Sequence, residues 1–299
     1  MILDCSKYVG PCRCGREHTL ETKKVVVEYN ALDKFDQYMD EVGLTGKRAV
    51  IYDTNTYNLP TLRHVRADQE IVLNAEGLHS EKGMIEDMMR QLDHPDVIVA
   101  VGSGTIMDFG RYPAYHLGIP FVAVPTLASS DGFTANICSI IIDGQKKSIP
   151  MQAAALVVCD LNVVSGAPLW LTVSGISDIL AKYISLADWK IAHLVSGEYY
   201  CPMVADLAQE ALTIMRKAAD DMAAGGKPDF EAMTMAQMIS GLTMQLLNHS
   251  RAASGAEHLM AHLVEMKPPR FENAHGMHGQ CVGVGTYLCA KEDHYLASL

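Results

Sequence analysis

The feature that most constrains the fold is an alternation of short apolar runs with helix-period segments over residues 48–124, and its disappearance after Pro168. Residues 48–53 (Arg-Ala-Val-Ile-Tyr-Asp) and 69–74 read as strands. Ser80 to Leu92 carries Met84, Ile85, Met88, Met89 and Leu92 at helical spacing, with Ser80 as the expected cap and Glu81 in the first turn. Residues 96–101 form a mainly β-branched run suited to a strand buried on both faces. After Gly102 to Gly104, residues 105–117 predict a helix stopped at Gly118 and kinked at Pro113, and 119–124 start another strand. This β-α-β-α-β order calls for a parallel sheet covered by helices. Residues 136–142 and 155–160 are expected to add two strands around the polar turn Asp143 to Lys147. Beyond Pro168, Ala, Met and Leu patterns over 176–193, 204–223 and 230–249 predict helices. The expected organisation is an α/β domain over 1–165 and a helical domain over 166–299, with no internal repeat.

A composition of 49% hydrophobic and 20% charged residues is that of an ordered globular chain. A formal net charge of -11 argues against nucleic acid or an anionic membrane as partner and points to small molecules. No apolar run is read as long enough to span a bilayer, and the start Met-Ile-Leu-Asp-Cys-Ser-Lys lacks the features of a leader, so a cytoplasmic address without membrane insertion is expected. Eight scattered cysteines, several in apolar segments (Cys138, Cys159, Cys289), fit reduced thiols better than a disulfide framework. Met84 with Met88, and Met233, Met235, Met238 and Met244, read as core packing.

Val-Gly-Ser-Gly-Thr-Ile-Met-Asp (101–108) is a glycine turn between a strand and a helix, which offers backbone N–H groups and a positive dipole end to a pyrophosphate. It lacks the third glycine of the dinucleotide fingerprint, so any tight strand-to-helix turn fits the pattern as well. Asp53, ending the first strand, can accept hydrogen bonds from a ribose, which would favour NAD over NADP; the plainer reading is a loop acid beside Thr54 and Asn55. Thr126 to Gly132 follows the strand 119–124 and puts small polar residues at the carboxyl edge of the sheet, where open α/β folds bind ligands. A capped loop explains that segment too.

One carboxylate and two imidazoles, from Asp178, His258 and His278, would form an open metal site. His258 and His262 lie four apart on an expected helix and share a face, but twelve histidines make such a pair easy to obtain. His275 competes with His278 for the third position, and Asp178 also reads as a helix first-turn acid. Cys12-Arg-Cys14, with His18 and Cys5 nearby, can form a thiolate zinc site; its spacing is not standard, and free thiols are the simpler reading.

Five segments in order resemble the iron-containing alcohol dehydrogenase superfamily, in its glycerol-1-phosphate dehydrogenase branch, with glycerol dehydrogenase as a near relative. They are Gly-x-Gly-x-x-x-Asp (102–108), Pro-Thr-x-Ala-Ser-x-Asp-Gly (125–132), Ser-Asp-x-x-Ala-Lys (177–182), Ser-Gly-x-Glu-His-x-x-x-His (254–262) and His-Gly (278–279). The resemblance runs from about residue 25 to residue 288. It implies a Rossmann-like parallel-sheet domain followed by an all-α metal-binding domain, the dehydroquinate synthase-like architecture. It further implies that Asp178, His258 and His278 hold one divalent metal, zinc first, with nickel and iron as alternatives. Asp131, Asp178 and His262 would serve substrate binding and catalysis. Gly102, Ser103, Gly104, Thr105, Ile106 and Asp108, with Thr126, Leu127, Ala128 and Ser129, would carry NAD or NADP, and Asp53 joins them on the argument above. His275 is demoted because the family's ligand directly precedes the glycine of a helix like 279–288. Family members usually continue for several helices past the His-Gly segment, so a C-terminally truncated domain with an exposed apolar face is expected. Ala135 stands where related enzymes often have a serine that touches the cofactor.

The leading expectation is interconversion of dihydroxyacetone phosphate and sn-glycerol 1-phosphate by hydride transfer, in a homo-oligomer. Lys182, Arg251 or Arg270 would supply the phosphate contact. A free polyol is the enzymatic alternative, and dehydroquinate synthase chemistry ranks behind it because no rich Lys and Arg set is evident. An iron oxygenase would share the ligand set but not explain the glycine turn. A truncated, inactive metal- or nucleotide-binding homologue is the reading from another class.

Overall fold

The computed structural model describes residues 1–266 and 276–298; Arg270 and His275 lie outside them. The chain divides into two compact units. The first comprises Met1–Tyr8, Leu20–Leu127 and Gly132–Ala167; the second comprises Val9–Thr19, Ala128–Asp131 and Pro168–Leu299. The main division falls between Ala167 and Pro168, and two short excursions before it join the second unit.

The first unit is built on six parallel strands: β1 (Lys24–Glu28), β2 (Arg48–Asp53), β3 (Gln69–Leu73), β4 (Val97–Gly102), β5 (Phe121–Pro125) and β6 (Leu156–Asp160). They are ordered β1-β6-β5-β4-β2-β3, and Ile2–Leu3 adds an antiparallel edge to β1. Strands β2, β4, β5 and β6 are buried at every residue, as their continuous apolar runs require when both sheet faces are covered. From β2 the chain steps outward to β3, then returns to β4 on the other side of β2 and continues to β5 and β6. The order therefore reverses between β2 and β4, whose carboxyl ends are Asp53 and Gly102. That reversal is where open α/β sheets bind ligands.

Helix α1 (Lys82–Met89) is shorter than the spacing predicts, and Ser80 does not cap it; the Ser80 hydroxyl donates to Asp108 at 2.9 Å instead. Met84 is exposed, not core. Helix α2 (Gly104–Leu117) runs on through Pro113 and stops at Gly118, whose φ of 68° favours glycine. It lies close on the sheet at Gly110, where a Cβ would come within 2.7 Å of Ala100 and 2.8 Å of Phe121. The turn at Asp143 joins Ile137–Ile142 to Gln145–Pro150 as a separate hairpin. Residues 156–160 are not part of that turn region's pairing, contrary to expectation, but enter the main sheet between β1 and β5. The second hairpin strand was not legible because Gln145–Pro150 is mostly exposed and polar.

The second unit is helical: α3 (Leu169–Leu180), α4 (Lys182–Ser196), α5 (Pro202–Ala223), α6 (Phe230–Leu247), α7 (Ala256–Glu265) and α8 (His278–Ala297). Helix α6 is buried on all sides from Met233 to Leu247, so it forms the centre of this unit. Where the sequence predicts a single helix over 176–193, α3 and α4 abut at Ala181. Together Leu169–Ser196 is long and apolar enough by composition to cross a bilayer, which corrects the expectation that no segment is. Its most apolar 18-residue window is more than half buried and carries the buried pair Asp178 and Lys182, so that stretch serves as core here. Helices α7 and α8 expose Leu259, Leu263, Val284, Tyr287 and Leu288, an apolar face of the kind expected.

Candidate metal centre and dinucleotide turn

Asp178 sits in the last turn of α3, not at a helix start as its alternative reading supposed. Close packing of α3 places it. A Cβ on Gly175 would lie 2.1 Å from the Ala128 carbonyl oxygen and from Gln237 Nε2, and Gln237 donates to that same carbonyl at 2.9 Å. Asp178 Oδ2 accepts the Asp131 backbone N–H at 3.2 Å, which orients the carboxylate. Its Oδ1 then faces His258 Nε2 at 3.4 Å and His278 Nε2 at 3.8 Å, yet has no aligned hydrogen-bond partner although the side chain is 1% exposed. A buried carboxylate oxygen left so is costly unless a cation meets it.

Both imidazoles are turned for that task. His258 Nδ1 lies 2.7 Å from Glu257 Oε1, and His278 Nδ1 lies 2.6 Å from Glu265 Oε1. Each carboxylate accepts a hydrogen bond from Nδ1–H and turns Nε2 toward the centre, the arrangement that fixes tautomer and ring in metal-ligating histidines. One donor atom from each of Asp178, His258 and His278 lies within 4.8 Å of the others. The residues present therefore fit a divalent ion with positions left open, and the O, N, N donor set suits zinc, nickel or ferrous iron.

Burial raises the Asp178 pKa, but the Lys182 ammonium and the two histidines outweigh it and hold the carboxyl well below the usual range. Burial likewise pushes His258 down, while Asp178 and Glu257 raise it further, to about 9. In the metal-free protein His258 is thus protonated below that value, and a metal must displace the proton. Metal affinity is expected to strengthen up to about tenfold per pH unit as pH rises toward 9 and then level off, as measured by competition with a chelator. An affinity flat between pH 6 and 8 would remove His258 from the coordination set.

Lys182, four residues after Asp178 and fully buried, places Nζ 2.8 Å from Asp131 Oδ2 and 3.9 Å from Asp178 Oδ2. Burial lowers its pKa, but the two carboxylates raise it more, so the ammonium stays charged between them. Asp131 Oδ2 also accepts the Ser240 hydroxyl at 2.8 Å. Arg251 pairs with both carboxylate oxygens of Glu198, at 2.8 and 2.9 Å. His262 is half-buried, its ring centroid 5.9 Å from that of His278 and 6.3 Å from that of His258. The roles of Glu257, Glu265 and Ser240 were missed in the sequence. Adjacency to His258 was an available signal for Glu257, and three-residue spacing from His262 for Glu265; Ser240, 109 residues from Asp131, had none.

The glycine after His278 has a packing cause. A Cβ at Gly279 would fall 1.9 Å from the Ser174 carbonyl oxygen, so α8 can approach α3 only with glycine there. Gly279→Ala is expected to force these helices apart, costing about 3 kcal/mol of stability and about tenfold or more in metal affinity as His278 is drawn off Asp178. Thermal denaturation and chelator competition measure the two losses, and an unchanged affinity would contradict this packing account.

In the first unit, β4 passes through Gly102 into α2 with Ser103 at the N-cap and no side-chain capping bond. The first turn of α2 at Gly104 and Thr105 is only half-buried, Ile106 packs inside, and the Thr126 N–H donates to the Gly102 carbonyl at 3.2 Å. Asp108 does not face outward: Ser80, the Ser139 N–H at 3.3 Å and Arg111 at 3.9 Å surround its buried carboxylate. Asp53 caps a short helix through Thr56, accepting its N–H at 2.7 Å and its hydroxyl at 3.1 Å. Thr126 and Leu127 belong to the first unit, and Ala128 and Ser129 to the second.

The iron-containing alcohol dehydrogenase family pattern matches residues 26–168. Glycerol-1-phosphate dehydrogenase [NAD(P)+] of Halalkalibacterium halodurans is 33% identical over 300 residues, spanning 96% of this chain and 75% of that protein. The enzyme of the same name from Bacillus licheniformis is 35% identical over 299 residues, again covering 96% and 75%. Among solved structures, glycerol dehydrogenase from Schizosaccharomyces pombe superposes with a TM-score of 0.70 at 20% identity over 90% of this chain and 70% of that one, a likeness of fold. The chain belongs to the iron-containing alcohol dehydrogenase family of oxidoreductases, among the homologues of glycerol-1-phosphate dehydrogenase.

Proposed function

We infer that this chain is a metal-dependent NAD(P)-linked dehydrogenase that interconverts dihydroxyacetone phosphate and sn-glycerol 1-phosphate. The observation that carries the reading is the buried Asp178 Oδ1 facing the Nε2 atoms of two imidazoles that are each backed by a glutamate. The names of the relatives supply the substrate. When bound, the metal would supply a Lewis acid for the carbonyl or alkoxide oxygen at the carbon that exchanges hydride. Asp178, His258 and His278 would hold it. His262 lies near enough to that centre to move a proton to or from the substrate oxygen. Asp131 is anchored by Lys182 and Ser240 through Oδ2, so Oδ1 is the atom that would meet a substrate hydroxyl. The N-terminus of α2 and the 126–129 loop would carry the dinucleotide, by main-chain groups rather than by Asp108.

A second reading, a free polyol substrate, draws on the cations. Lys182 is shut in with Asp131 and Asp178, and Arg251 is engaged by Glu198, so two of the three candidates for a phosphate contact already have partners. The test is oxidation of NADH, and of NADPH in parallel, by the purified chain with zinc, nickel or ferrous iron. Dihydroxyacetone phosphate is expected to be reduced in a metal-dependent way and much faster than dihydroxyacetone. A preference for the free ketone would select the polyol reading, and metal binding without turnover would mean a binding protein.

A further inference from the structure

A second cluster lies in the helical unit, away from the centre just described in chain and in donor type. Cys12, Cys14, His18 and Cys201 bring one donor atom each to within 4.8 Å of one another. We propose that these four residues form a closed structural zinc site that ties the short hairpin in which Gly10–Pro11 pairs with Glu17–His18 to the start of α5. It is separate from the catalytic centre proposed above and does not depend on it.

The distances carry the argument. With zinc–sulfur bonds of about 2.3 Å and zinc–nitrogen bonds of about 2.0 Å, a tetrahedron has edges of about 3.8 Å between sulfurs and about 3.5 Å between sulfur and nitrogen. Cys12 Sγ and Cys201 Sγ are 3.8 Å apart, and His18 Nε2 lies 3.4 Å from Cys14 Sγ and 3.3 Å from Cys201 Sγ. A sulfur separation of 3.8 Å is far from a disulfide bond, and all three cysteines are free thiols.

The surroundings hold the donors in place. His18 Nδ1 meets the Leu246 carbonyl oxygen at 2.7 Å, so Nδ1 carries the proton and Nε2 presents its lone pair to the cluster. The residues 12–16 turn is closed by Cys12 N–H to Arg16 O at 2.9 Å and Gly15 N–H to Cys12 O at 3.0 Å, with Gly15 at a φ of 84°. This turn lets Cys12 and Cys14 point to one side despite their unusual spacing. Cys201 is the N-cap residue of the 22-residue helix α5, so the helix start fixes where its sulfur stands. Tyr199 donates to Cys14 Sγ at 3.0 Å, and the Arg16 guanidinium stacks on the Tyr199 ring at 3.5 Å. A positive charge beside three thiolates and one Zn2+ offsets the residual negative charge. His18 and Cys201 are buried, and four protein ligands leave no open position, as in a structural site. Cys5 belongs to the first unit and is not a member.

Cobalt(II) replacing zinc in the reduced, full-length chain tests this directly. The Asp178 centre has no sulfur, so a sulfur-to-cobalt charge-transfer band in the near ultraviolet reports the thiolate site alone. That band, with the strong visible bands of tetrahedral cobalt, is expected in the parent chain and in Asp178→Asn, and is expected to be lost in Cys14→Ser and Cys201→Ser. Metal content should fall by one equivalent per chain in each variant, from different sites. Because Cys201→Ser can fail to fold, the parent spectrum stands as the primary reading. A reduced parent chain that is folded by circular dichroism but shows no charge-transfer band on cobalt saturation overturns the proposal, as does a band that vanishes in Asp178→Asn.

Discussion

Asp178→Asn is expected to abolish stoichiometric metal binding at the Asp/His/His centre and to lower turnover about a thousandfold or more, the equivalent of about 4 kcal/mol of transition-state stabilisation. The substitution keeps the side chain's size while removing the charge that a cation requires at Oδ1, the oxygen that His258 Nε2 and His278 Nε2 face at 3.4 and 3.8 Å. The fold should survive, because Lys182 retains Asp131 at 2.8 Å as its partner. Metal analysis, initial rates of NADH oxidation and far-ultraviolet circular dichroism on one preparation separate loss of the site from loss of the protein. Turnover equal to that of the parent chain would sink the catalytic assignment of this centre.

The second large effect is on stability. Lys182→Met removes the ammonium that two buried carboxylates share, at 2.8 Å from Asp131 and 3.9 Å from Asp178, and should cost about 3 to 5 kcal/mol in the metal-free protein at neutral pH. The sign of its pH dependence follows from linkage. In the parent chain the Asp178 pKa is depressed, so its contribution is present above the unfolded carboxyl value and is lost only as pH falls through the folded one. Without Lys182 the largest cause that holds the Asp178 pKa down is gone and burial is opposed by the two histidines alone, so the pKa moves up and the variant loses stabilisation at high pH that the parent keeps. The gap between variant and parent should therefore be wide at pH 8 and narrow toward pH 4, as read by denaturant unfolding. A gap independent of pH would mean that Lys182 acts through packing of its stem alone.

These expectations rest on contacts of very different legibility. Lys182 follows Asp178 by four residues, so helical geometry alone puts them on one face, although the sequence reading named the lysine only as one of three alternatives for a phosphate contact. Its actual partner, Asp131, comes from a short excursion of the chain between Leu127 and Gly132. The zinc cluster shows the same limit. Cys12, Cys14 and His18 are neighbours in the chain, but the fourth donor, Cys201, is 183 residues from His18 and nothing in its local pattern distinguishes it from a buried thiol.

What the sequence determined by itself is what local periodicity encodes: the alternating strands and helices of the first unit, the helical second unit, and the glycine turn at the end of β4. The ordered segments around Asp178, His258 and His278 also identified the family. Tertiary structure alone decided that residues 156–160 enter the main sheet rather than pair near the turn, that Asp108 and Asp53 spend their carboxylates on internal hydrogen bonds, and that Glu257 and Glu265 brace the imidazoles of His258 and His278. The physical reason is one of range. Periodicity depends on which side of a single element a residue faces, whereas a donor's role depends on which distant oxygen or nitrogen lies within about 3 Å of it, and that is set only when helices separated by many tens of residues pack together.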